Sequence, residues 1–237
     1  SSGKSGGAIY VQSDSPNCVV RNSHFDNNIV TDVRNGQGGA IDWLGYNGLI
    51  ENTTFKNSFA FNGGTIYAGT NSTNLTIINA TFISSQALGD GGAISLYSDN
   101  ASIVGSEFNY VFALKQGGAI SGHTANNATI DNCTFEFAVG SGYMDSSHKS
   151  YGEGGAIFWE NSTDLNISNS KFLSLRSNSN GGAVSAINCN DSTLYNLTFD
   201  HVFSSTDGGS ISWVNSTNLT IDTCKFINRT EAYNNGR

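Results

Sequence analysis

A glycine doublet followed by a small residue and a β-branched one recurs from end to end of this chain, and nothing else limits its fold so tightly. The copies are Gly6-Gly7-Ala8-Ile9, Gly38-Gly39-Ala40-Ile41, Gly63-Gly64-Thr65-Ile66, Gly91-Gly92-Ala93-Ile94, Gly117-Gly118-Ala119-Ile120, Gly154-Gly155-Ala156-Ile157, Gly181-Gly182-Ala183-Val184 and Gly208-Gly209-Ser210-Ile211. A signal repeated on this scale means one supersecondary unit built many times and stacked, because a single unit cannot bury its own apolar face. The eight copies must be put in register before any strand is assigned.

A Phe follows the first glycine of each doublet by 17 to 19 residues: Phe25, Phe55, Phe82, Phe108, Phe135, Phe172, Phe199 and Phe226. Where nothing is inserted the period is 27, as from Gly154 to Gly181 to Gly208. Five residues before each Phe stands an aliphatic column: Val20, Ile50, Ile77, Ile103, Ile130, Ile167, Leu194 and Ile221. Three before it stands Asn, at Asn22, Asn52, Asn79, Asn132, Asn169 and Asn196, with Gly105 and Thr223 in the other two units. These segments are short, β-branched and separated by Gly, Asn and Ser, which is strand-and-turn chemistry. No stretch keeps a helical period free of such breakers. The pattern predicts an all-β chain: a right-handed parallel β-helix of about eight coils of ~27 residues, with three short strands per coil.

The columns have mechanical explanations. Stacked Asn side chains can hydrogen-bond to their copies above and below, and Asn tolerates the left-handed backbone of a sharp corner. Two residues after each Ile lies a column of Val11, Trp43, Ala68, Leu96, Gly122, Trp159, Ala186 and Trp213, which strand alternation places on the inner face. Its large and small members compensate, Trp159 falling between Gly122 and Ala186.

Charge and composition exclude several classes. A net charge of −8 opposes binding to nucleic-acid phosphates. No apolar run approaches the roughly 18 residues of a membrane-spanning helix. The four cysteines, Cys18, Cys133, Cys189 and Cys224, show no metal-ligand spacing and read as small buried thiols. Because the chain opens and closes inside the repeat, residues 1–237 are expected to be a single β-helix segment interior to a longer repeat protein.

The Gly-Gly-Ala-Ile signal, paired with a later Phe and Asn, resembles the polymorphic membrane protein repeat of chlamydial autotransporter adhesins. Units such as Asn52-Thr53-Thr54-Phe55-Lys56-Asn57 and Asn79-Ala80-Thr81-Phe82 are still more similar to the adhesin-like surface proteins of methanogenic archaea. The bacterial FxxN pattern is met only by Phe25-Asp26-Asn27-Asn28, which turns the resemblance toward the archaeal proteins. The resemblance implies an extracellular, cell-surface β-helix stalk used in adhesion. Its partner would be a protein or glycan of a host or neighbouring cell, or further copies of itself stacked end to end in a filament or sheath.

Fourteen N-x-Ser/Thr sequons fit a glycosylated surface. Those at Asn52, Asn79, Asn132 and Asn196 belong to the Asn column and are expected to be occupied structurally. The glycan candidates are Asn71, Asn161, Asn215, Asn218, Asn100 and Asn190. A polysaccharide-cleaving enzyme would need two facing carboxylates. Glu51, Asp131 and Asp222 share a column but stand two or more coils apart, while Asp90 and Asp207 read as scattered solvated acids. His24, His123, His148 and His201 fall in four different units. Accordingly no catalytic, cofactor or metal residue is assigned. Recognition is expected where the spacing breaks, near residues 29–35 and 138–153. The candidates there are Tyr143, Met144, Asp145, His148, Lys149 and Tyr151.

Overall fold

A computed structural model describes residues 5–142 and 151–233. The described chain is all β, and its strands form four stacked parallel sheets of eight, eight, seven and eight strands. It is the β-solenoid expected from the repeat, with about eight turns. One turn shows the construction: Ile94–Leu96 lies in the first sheet, Ser102–Val104 in the second and Glu107–Asn109 in the third. A two-residue segment, Phe112–Ala113, adds a fourth ladder that was too short to show alternation in the sequence.

The registers follow the sequence columns residue for residue. Ile94 pairs with Ile66 and Ile120, Ile103 with Ile77 and Ile130, and Phe108 with Phe82 and Phe135. The Phe rings form one stack from Phe25 to Phe226, with centroids 4.8–5.2 Å apart and planes within 18°. Offset stacking of this kind adds to the area that each ring removes from water. Trp43 and Trp159 are fully buried, and Trp159 pairs with Gly122 on one side and Ala186 on the other. A Cβ on Gly122 would lie 2.3 Å from the Trp159 ring, so the glycine is what admits the indole.

Sharp corners separate the sheets. The first glycine of every doublet has φ between 57° and 67°, and the second sits where a side chain would strike the next coil. At Gly118, for example, a Cβ would lie 2.0 Å from the carbonyl oxygen of Gly155. The Asn column also turns through the left-handed region, at φ 49–52°. It forms the predicted ladder in pieces: Asn52 Nδ2 donates to Asn22 Oδ1 at 3.4 Å, Asn79 to Asn52 at 3.3 Å and Asn196 to Asn169 at 2.8 Å. Gly105 interrupts it, and Asn169 turns instead to Asp131 Oδ1 at 2.7 Å.

Of the further left-handed corners in the structure, two run through all eight turns. One is Asn17, Asn47, Asn74, Asn100, Asn127, Asp164, Asp191 and Asn218, all at φ 52–61°. It carries its own ladder, Asn74 Nδ2 donating to Asn47 Oδ1 and Asn127 Nδ2 to Asn100 Oδ1, each at 2.8 Å. The other lies two residues after each Phe and mixes Asn27, Asn57, Ser84, Tyr110, Phe137, Ser174, His201 and Asn228 at φ 49–55°. The four cysteines form no disulfide, and Cys133 and Cys189 are buried.

Candidate functional site

The outward face of the first sheet departs from simple repetition. Beside the Ile column, and pointing away from the interior of the coil, runs a column of Tyr10, Asp42, Tyr67, Ser95, Ser121, Phe158, Ser185 and Ser212, of which all but the two tyrosines are nonetheless buried. Two residues further along the strands stand Tyr97, His123 and Glu160. His123 pairs in register with Glu160, and its ring stacks on Tyr97 at 4.8 Å.

The corner just before each doublet brings a third line of side chains against this face, and there Asp90 meets His123. His123 Nδ1 lies 2.8 Å from Glu160 Oε1, while its Nε2 faces Asp90 Oδ2 at 3.8 Å. A carboxylate only accepts, so Nδ1 is the donor to Glu160 and Nε2 is left pointing at Asp90. At 3.8 Å that second approach is too long for a hydrogen bond. His123 is 8 % exposed, and neither its Nε2 nor Asp90 Oδ1 takes any hydrogen bond. Burial pushes the Asp90 carboxyl up from its ordinary range, with the His123 and Lys115 charges pulling the other way. Tyr97 is likewise raised by burial and by Asp90, while Ser95 hydrogen-bonds its hydroxyl. Lys115 Nζ stands 5.2 Å from the centre of the Phe61 ring and 5.4 Å from that of Tyr151.

This geometry corrects one expectation. Asp90 is not a solvated acid: its side chain is 13 % exposed, because coil stacking sets the corner column against the aromatic face. The four histidines do fall in different units, but parallel stacking places Glu160 of the next coil directly beside His123. The signal was present in the sequence. Tyr97, His123 and Glu160 each stand six residues after the first glycine of their own doublet.

Of the recognition-loop candidates, Tyr143, Met144, Asp145, His148 and Lys149 lie outside the described residues. Tyr151 is described and approaches Lys115, on the same side as Asp90. The smaller insertion, near residues 29–35, is organised by Asp32, whose Oδ1 accepts from the Arg34 and Asn35 amides at 3.0 and 3.1 Å. The glycan candidates divide. Asn100, Asn161, Asn190 and Asn218 are engaged: Asn188 donates to Asn161 at 2.9 Å, Thr217 to Asn190 at 2.9 Å, and Asn218 to Asp191 at 2.7 Å. Asn71 and Asn215 are exposed and make no side-chain hydrogen bond.

No protein-family model and no curated protein sequence matches the chain. Among solved structures it is similar to the A-module of the Azotobacter vinelandii mannuronan C-5 epimerase AlgE6, at TM-score 0.41 and 15% identity, covering 93% of this chain and 60% of that one. It is similar to the Streptococcus pneumoniae surface protein and adhesin PfbA at TM-score 0.35 and 14% identity, covering 91% of this chain and 76% of that one. A third likeness is to the catalytic domain of a GH87 α-1,3-glucanase in complex with nigerose, at TM-score 0.24 and 12% identity, covering 96% of this chain and 56% of that one. The chain thus spans about 60% of the length of the epimerase module.

Proposed function

We propose that this chain is the stalk of a non-catalytic, adhesin-like protein of the cell surface, holding binding groups in fixed register along a rod. The observation that carries this reading is the continuity of the ladders. The first three sheets each run through eight strands without a break, and the Phe stack of the third passes through every coil. Parallel stacking makes each turn the template of the next, which gives stiffness in one direction and identical spacing between displayed side chains.

The outward Asn, Ser and Thr residues suit an extracellular surface that carries glycan. Of the six glycan candidates, Asn71 and Asn215 are those where a sugar displaces no existing hydrogen bond. Glycopeptide mapping of native material should show glycan at these two in preference to Asn190 and Asn218; occupancy confined to the latter pair would contradict it.

Attachment is tested with beads carrying the 237-residue chain, overlaid on bacterial, archaeal and animal cells. Retention well above that of albumin-coated beads is expected on at least one surface, and background retention on all would overturn the reading. The same protein incubated with plant and microbial polysaccharides should release no reducing ends and no unsaturated uronates. Release of either would replace the stalk with an enzyme.

A further inference from the structure

We infer that the exposed ring of Tyr110, with the hollow beside it at Ser84 and Gln86, is a platform that binds a neutral sugar. The inference rests on the attachment reading and names the ligand chemistry that would serve it. Its starting point is a misfit between residue and backbone. At the corner two residues after each Phe, six coils carry Asn27, Asn57, Ser84, Ser174, His201 and Asn228, but two carry Tyr110 and Phe137, at φ 55° and 52°. A left-handed backbone is an outlier for a bulky side chain. Burial does little to offset it here, since Tyr110 is 61 % exposed and Phe137 41 %. Strain of this kind clusters where ligands are held.

The two rings stack on each other, with centroids 4.8 Å apart and planes at 16°. That covers one face of each and leaves the other open. The centroid spacing matches the spacing of the strands, so the stack runs broadly along the rod. The free face of Tyr110 is therefore turned toward the coil of Ser84, whose amide donates to the Asn109 carbonyl at 3.0 Å. A serine side chain is too short to cover a phenol ring. In the coils on that side lies a hollow of about 290 Å³, lined by Ile29, Asn57, Ser58, Phe59, Ser84 and Gln86. Ile29 belongs to the smaller insertion and bridges to Phe59.

The chemistry of this hollow defines its occupant. None of the six lining residues is charged, so a uronate, sialic acid or sulfated sugar would give up hydration with no cation to meet it. Gln86 is exposed, and neither its amide nor the Ser84 hydroxyl hydrogen-bonds a described residue. Elsewhere the corner amides are tied into ladders, as Asn79 is to Asn52 and Asn127 to Asn100. A neutral sugar fits all of this. Its C–H face suits the open face of Tyr110, and its hydroxyls both donate to and accept from Gln86 and Ser84. Size points the same way: the hollow is at the small end of ligand pockets, whereas a specific protein interface covers about 800 Å² on each partner.

The test is a glycan array spanning neutral, amino and acidic oligosaccharides from glycoproteins and from polysaccharides, probed with the whole 237-residue chain. Calorimetric titration of the strongest neutral binder follows, against wild type, Tyr110→Asn and Gln86→Ala, with thermal melts of all three. Tyr110→Asn installs the residue that three other coils carry at this turn, so it should melt at or above wild type while binding about tenfold more weakly. Gln86→Ala should bind about fivefold more weakly at an unchanged melt. An array without signal, preference for acidic sugars, or unchanged affinity in either variant would overturn the site. So would a Tyr110→Asn melt well below wild type, which would mean that the ring is kept for structure. A dimer of wild type in sedimentation that Tyr110→Asn abolishes would give the face to a second copy of the chain and overturn the sugar. The bead assay separates the two readings. Beads that hold to cells while the array is blank sink the sugar site alone. A positive array with beads that do not hold sinks the attachment reading and leaves the site.

Discussion

Two columns of this solenoid run side by side under opposite rules. Inside, the third sheet repeats one residue eight times, and every Phe from Phe55 to Phe199 is fully buried between copies of itself. Outside, the first sheet changes residue at nearly every turn, from Tyr10 through Asp42, Tyr67 and two serines to Phe158. In the inner column a residue's neighbours are its own copies, so shape alone decides and one side chain fits throughout. In the outer column each residue meets different neighbours, so unlike groups can be gathered, as Asp90, His123 and Glu160 are from three successive coils. The comparison teaches that repetition sets the rod and the breaks in repetition set its chemistry.

The sharpest break in the comparison comes from the inner column. Phe135→Ala removes a fully buried ring from between Phe108 and Phe172, and the parallel ladders on either side oppose collapse of the gap. A loss of about 4 kcal/mol is expected in urea unfolding. A cost under about 1 kcal/mol would mean that the stack is not the element that holds the turns together.

A smaller effect, of opposite sign, is expected outside. Asp42 is 1 % exposed, and its Oδ1 takes no hydrogen bond. Burial raises its carboxyl from 3.8 to about 6, against a hydrogen bond with Ser5. The folded chain therefore holds this proton more tightly than the unfolded chain. That contribution to stability is full below about pH 4 and is lost as pH rises through about 6. Asp42→Asn should remove the loss, stabilising the protein by about 2 kcal/mol near pH 7.5 and flattening the slope between pH 4 and 6. Asp90, raised in the same direction, keeps part of that slope in the variant. Thermal melts across this range check it, and an unaltered profile would exclude Asp42 as the responsible group.

The smallest effect is at the corners. Ser174 turns at φ 54° in a column where Asn27, Asn57 and Asn228 make the same turn. Asn tolerates that backbone better than Ser, so Ser174→Asn should stabilise by about 0.5 kcal/mol. A melt shifted downward would show that something other than backbone preference chose the serine.

The solenoid was legible because its determinants recur: Gly91, Ile94, Ile103 and Phe108 need only be matched with their equivalents to give both strands and register. The corner at Asn17, Asn47 and Asn74 was equally periodic but sits in Asn-rich sequence, where one Asn column hides another. The fourth ladder went unread because two residues, such as Phe112 and Ala113, cannot display an alternation. The candidate site was hardest to read. Tyr97, His123 and Glu160 share a repeat position yet share no chemistry, so no column of identical residues marks them. Asp90 joins them only through the path of the corner, which the sequence does not express.

The division of labour between the two columns is tested most directly by urea unfolding of wild type, Phe135→Ala and His123→Phe, measured together. The stack inside the coil is untouched by the His123 change, so that variant should unfold within about 1 kcal/mol of wild type while Phe135→Ala loses about 4 kcal/mol. Equal losses in the two variants would contradict the assignment of the rod's stability to the inner column.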